Sequence, residues 1–201
     1  GDKLTLGNFA NTVTVSNVET LTGDAAVDTI TLGAQAASIK IDLAAGNDVL
    51  TLGDFANTAS LSNVETVNGG NSSDTITVAT DASSTQFLLG AGTDSLTLGA
   101  FANSSVTATN VESILGTGAN NDTVTLGAGV TNATFNLAGG AGDTLTFFNA
   151  TNSASISNVE TIIGGTGADT ITLATTSATN KVDLTSGTDT LTLANGGNAG
   201  I

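Results

Sequence analysis

Residues 28 to 32, Asp-Thr-Ile-Thr-Leu, alternate polar and apolar side chains, and the same pattern opens on an aspartate nine times along the chain. The nine are Asp2, Asp28, Asp48, Asp74, Asp94, Asp122, Asp143, Asp169 and Asp189. Two and four positions after each of them the residue is apolar in all eighteen cases, from Leu4 and Leu6 to Leu191 and Leu193, and three positions after it the residue is always threonine. Period-two alternation of this kind predicts a β-strand with one buried face. A second register, Ile41, Phe87, Phe135 and Val182 with Leu43, Leu89, Leu137 and Leu184, adds eight further buried strand positions. No segment carries the 3.6-residue period of a helix, and glycine interrupts every one.

The strands repeat on a larger scale. Ser-Asn-Val-Glu-Thr at 16–20 returns at 62–66 and 157–161, and as Thr-Asn-Val-Glu-Ser at 109–113, a period of 46 to 48. Asn-Phe-Ala-Asn at 8–11 returns as Asp-Phe-Ala-Asn at 54–57 and Ala-Phe-Ala-Asn at 100–103. Between successive aspartates the steps are 26, 20, 26, 20, 28, 21, 26 and 20 residues. Strands at this spacing, without helical crossovers or hairpin dipeptides, predict an all-β parallel β-solenoid, of β-helix or β-roll type. It has about nine turns of 20–28 residues in about four 46-residue repeats, and it runs through residues 1–201 as one uninterrupted array. Strand spacing makes this a rod on the order of 40 Å long.

Within that frame the aspartates form one column, and the longer turn holds an additional corner and a third short strand at the Asn-Val-Glu-Thr segment. Phe9, Phe55 and Phe101 stack in the core on alternate turns. Glu19, Glu65, Glu112 and Glu160 form a solvated stripe with a spacing of roughly 10 Å. Asn17, Asn63, Asn110 and Asn158 form a structural column, either an asparagine ladder or a corner in the left-handed conformation.

Composition restricts the chemistry. The net charge is −15, and the chain has no cysteine, histidine, arginine, tyrosine, tryptophan, methionine or proline. Lys3, Lys40 and Lys181 are the only basic side chains, so neither a nucleic-acid backbone nor an anionic membrane is an expected partner. No run of about 20 apolar residues offers a membrane span, and no signal segment opens the chain. Thiolate and imidazole metal sites are excluded, which leaves oxygen donors and hard cations such as calcium. Polysaccharide lyases and epimerases also use parallel β-helices, but their base and charge stabiliser need side-chain types missing here, and an enzyme is not expected.

Gly-Gly-Thr-Gly-Ala-Asp-Thr-Ile-Thr at 164–172 resembles, position for position, the Gly-Gly-x-Gly-x-Asp-x-apolar-x calcium repeat of the RTX family of secreted bacterial proteins. Gly-Ala-Gly-Thr-Asp-Ser-Leu-Thr at 90–97 matches all but the first glycine, and 139–146 is one residue short. The resemblance implies calcium held by glycine-loop carbonyls and aspartates: Gly90, Gly92 and Asp94, and Gly165, Gly167 and Asp169, with Asp122, Asp143 and Asp189 as weaker corners. The motif marks one corner of a longer turn, unlike the nine-residue motif on both edges of an RTX β-roll. The whole chain is also similar to the Thr-, Ala-, Gly- and Asn-rich solenoids of bacterial surface-layer proteins and giant adhesins. Nine carboxylates about 4.8 Å apart would repel by roughly 1 kcal/mol per neighbouring pair in water, so a cation or turn amides must offset them.

These readings converge on a non-catalytic structural module of a secreted, extracellular or cell-surface bacterial protein, part of a surface layer, adhesin stalk or matrix fibre. The chain opens inside one repeat and stops shortly after another. That predicts a fragment of a longer chain, or a fibre subunit that self-associates end to end or laterally. Cell-surface polysaccharide is a further expected partner. One alternative is a calcium-dependent RTX folding module. Another is an ice-binding solenoid built on a threonine array at Thr29/Thr31, Thr75/Thr77, Thr123/Thr125, Thr144/Thr146, Thr170/Thr172 and Thr190/Thr192, interrupted by Lys3, Val49 and Ser95.

Overall fold

The computed structural model describes residues 1–103, 105–175 and 180–194. Among these residues lie 21 short strands and no helix. The first repeat contains β1 (Lys3–Thr5), β2 (Thr12–Val15), β3 (Thr20–Asp24), β4 (Thr29–Leu32) and β5 (Ile39–Ala44). The next repeats open with β6 (Val49–Thr51), β11 (Ser95–Thr97) and β16 (Thr144–Thr146), and β21 (Thr190–Thr192) has the same sequence pattern. Alternate strands belong to two parallel sheets, one of eleven strands and one of ten. Each turn of the chain therefore lays one strand in each sheet, and the described strands wind into about ten turns of a parallel β-solenoid.

Hydrophobic burial fixes the register. In β5, Ile39, Ile41 and Leu43 are buried while Lys40, Asp42 and Ala44 face out. Paired inward residues stack from turn to turn: Ile76, Leu96, Ile114, Phe135, Ile156 and Leu173 form one ladder through one sheet. Each is no more than 2% exposed. A one-residue slip would turn such a ladder to solvent, so this pattern specifies pairing strongly. Phe135 meets Phe147 edge to face, with ring centroids 6.1 Å apart. Of the eighteen apolar positions after the aspartates, Leu4, Leu6 and Leu191 are only partly buried and Leu193 is exposed; all four lie in the first and last described turns.

Paired residues in adjacent turns are 17 to 21 apart in sequence, as in Lys3 with Thr20 and Ser113 with Thr134. The 26-residue aspartate interval is therefore one and a half turns, and the 20-residue interval is one. Each repeat supplies five strands, an odd number, to a coil with two strands per turn. Successive repeats are thus offset by half a turn, and the same segment falls alternately on opposite sheets and opposite edges. β1, β11 and β21 lie in one sheet, whereas β6 and β16 lie in the other.

This alternation corrects several expectations. The aspartates form two columns instead of one. The additional strand at Asn-Val-Glu-Thr exists, but it completes the other sheet. The glutamates return to the same edge only every five turns, roughly 24 Å. Phe9, Phe55 and Phe101 sit outside the core at the corners, 68%, 37% and 42% exposed, because the space between the sheets is already filled by the strand ladders. The six threonine pairs divide between the sheets. Only Thr123/Thr125 beside Thr144/Thr146, and Thr170/Thr172 beside Thr190/Thr192, are direct neighbours, so no single six-row threonine array exists.

Candidate functional site

The polar residue just before a strand occupies the inside of the preceding corner, where a backbone N–H would otherwise be buried unpaired. On one edge these residues run Asn11, Asp28, Asp48, Glu65 in successive turns, and the order returns as Asn103, which stands three residues ahead of its strand, then Asp122, Asp143 and Glu160. On the other edge the same order appears as Asn57, Asp74, Asp94, Glu112. It then returns as Asn152, Asp169 and Asp189.

One rule joins the members: the N–H of each residue donates to the side-chain oxygen of its counterpart in the next turn. Asn57 donates to Asp74 Oδ1 at 3.0 Å, Asp74 to Asp94 Oδ1 at 2.6 Å, and Asp94 to Glu112 Oε2 at 2.7 Å. The same bonds join Asn11 through Asp28 and Asp48 to Glu65, Asn103 through Asp122 and Asp143 to Glu160, and Asn152 through Asp169 to Asp189. Glutamate, one methylene longer, closes each complete series of four. Bonds from an amide to a carboxylate are stronger than neutral ones, so the ladder is a coil-to-coil clasp running parallel to the sheets.

Asparagine, the opening member, is bonded on both sides. Asn57 Oδ1 accepts the Ala36 N–H at 2.9 Å, and its Nδ2 donates to Phe55 O at 2.7 Å and to Asp74 Oδ1 at 3.0 Å. Asn103 and Asn152 make equivalent bonds. Asn17, Asn63, Asn110 and Asn158 alternate between the two edges and so form no single column; their φ lies between 51° and 56°, so of the two expected roles the left-handed corner is the one observed.

The inner aspartates are left half-satisfied. Asp28, Asp48, Asp74, Asp94 and Asp143 are at most 1% exposed, and the Oδ2 of each is buried without a hydrogen-bond partner. Burial pushes the carboxyls of Asp48, Asp94 and Asp143 up to about 6, against the lowering effect of the N–H each accepts and with the neighbouring carboxylates adding to the rise. Asp74 and Asp122 are raised by burial as well, with their asparagine partners opposing the shift.

The residues of the RTX-like motifs fall on these ladders. Asp169 receives the Asn152 N–H and Nδ2 on Oδ1 at 2.9 and 2.8 Å, and the Gly165 N–H on Oδ2 at 3.2 Å. Gly165 and Gly167 lie so close to the preceding turn that a side chain would meet the carbonyls of Phe148 and Ala150. Gly90 and Gly92, at φ +92° and +148°, take corner conformations unsuited to other residues, and Asp94 caps Asp74. Asp122, Asp143 and Asp189 cap Asn103, Asp122 and Asp169. The motif residues are therefore brought together as capped corners. Among the described residues no three acidic groups converge in a metal-binding arrangement.

Asparagine, aspartate and glutamate, which stand apart in the sequence pattern, share each of the two columns in the structure. The intervals carry the signal: Asn11 to Asp28 is 17, Asp28 to Asp48 is 20 and Asp48 to Glu65 is 17, the spacings of paired strands. Away from the ladders, a groove of about 270 Å³ opens in the first repeat, floored by Val15, Leu32 and Ile39 and rimmed by Asn17, Glu19 and Gln35. Its counterpart in the second repeat, where Phe87 stands in the register of Ile41, has only about 10 Å³. No protein-family model, curated protein or solved structure matches this chain.

Proposed function

We propose that the chain is a non-catalytic structural repeat module of a secreted or cell-surface protein, a stalk, surface layer or fibre element whose work is to hold length. The observation that carries this reading is the pair of ladders: the acidic side chains at the strand-entry corners are hydrogen-bonded into coil-to-coil clasps. The half-turn offset adds a mechanical argument. Two repeats, 92 to 95 residues or five turns, restore the starting face, so a solenoid of this kind extends in steps of roughly 24 Å without altering its edges. The resemblance to RTX and surface-layer solenoids supports an extracellular setting.

The test is immunogold labelling of intact, unpermeabilised producer cells with antibody to this chain, alongside assay of the culture medium. Label at the surface or protein in the medium is the expected result. Confinement to the cytoplasmic fraction contradicts the reading.

A further inference from the structure

The Asp28, Asp48, Glu65 stack places three carboxyl groups in three consecutive turns of one edge. Asp48 is the middle member and is fully buried. Its Oδ1 accepts the Asp28 N–H at 2.7 Å, while its Oδ2 lies buried with no partner. Its own N–H is committed to Glu65 Oε2 at 2.7 Å. The ionisable groups that act on it from the packed turns are Glu65, Asp28 and Asp24, all acidic. Lys40, on the strand that leads into this corner, points outward and is exposed. A buried carboxylate with one bare oxygen and only negative neighbours is in an environment that favours its neutral form.

We propose that this stack is a proton-binding site, in which Asp48 takes up a proton as the pH falls and so relieves the charge buried between its turns. Protonation removes the charge while leaving Oδ1 free to accept the Asp28 N–H. The opening positions of three ladders already show a neutral isostere doing this work, because the uncharged Asn57, Asn103 and Asn152 side chains accept an N–H on Oδ1. The direction of linkage follows. Burial raises the Asp48 carboxyl from 3.8 to about 6 in the folded chain. Its contribution to stability is then fully present below the unfolded value and is lost as pH rises through the folded one.

The test is a carboxyl-carbon NMR titration of the whole chain labelled with 13C-aspartate, in EDTA so that no divalent cation holds the carboxylate ionised, with Asp48 assigned through backbone connectivity. The expected Asp48 midpoint lies about two pH units above the exposed aspartates. A midpoint alongside theirs overturns the proposal. Denaturation of Asp48→Asn adds a second readout: its transition should move to higher urea at pH 8, with the difference between pH 5 and pH 8 reduced. An equal loss at both pH values would show a purely structural role and also overturn it. Should the variant not fold, the wild-type titration decides alone.

Discussion

Asn57 and Phe55 are two residues apart, and their roles are the reverse of what hydrophobicity alone predicts. The phenyl ring is 37% exposed at the corner, whereas the amide is 1% exposed and serves both adjoining turns. Replacing Asn57 by alanine strands the Ala36 N–H and removes two donors from Asp74 and Phe55. A loss of about 2–3 kcal/mol is expected, read as a fall in the urea midpoint. Phe55→Ala should cost less, about 1–2 kcal/mol, since the ring, more than a third exposed, packs at the corner outside the inner ladders. A larger loss for Phe55 than for Asn57 would mean that the corner is held by ring packing instead of amide capping.

At the scale of strands and corners, the alternating Thr-Ile-Thr-Leu segments were legible because burial of one face leaves a period of two that needs no tertiary information. Ile30, Leu50, Ile76 and Leu96 are all fully buried, as that period requires. The path between strands was less legible. Asp28 and Asp74 have the same local sequence yet lie on opposite edges, and only the parity of the strand count separates them. Glutamate went unrecognised as a ladder member because its role depends on reach: Glu65 Oε2 comes to the place that Oδ1 of an aspartate holds in the other turns. The corners also bear on the expected calcium. If amide capping sustains them, far-UV circular dichroism in EDTA should show the full strand spectrum, unchanged when calcium is added. A coil-to-strand transition on adding calcium would instead make metal binding the driving force of folding.

The whole molecule is a two-sheet coil carrying a five-strand repeat, and that mismatch gives it two edges with the same sequence of corners, offset by half a turn. Stability in such an array is a sum over neighbouring turns, and every turn meets its neighbours through the inner ladders and the edge clasps. The two-edge architecture rests on the alternation itself. Phe55 and Phe101, 46 residues apart, are both exposed, and the chain has no native cysteine. Nitroxide labels on Phe55→Cys and Phe101→Cys therefore report their separation directly by electron paramagnetic resonance. With the two corners on opposite edges, the doubly labelled spectrum should match the sum of the singly labelled ones, without strong dipolar broadening. Strong broadening, as for labels about 10 Å apart on alternate turns of one edge, would contradict the five-strand repeat.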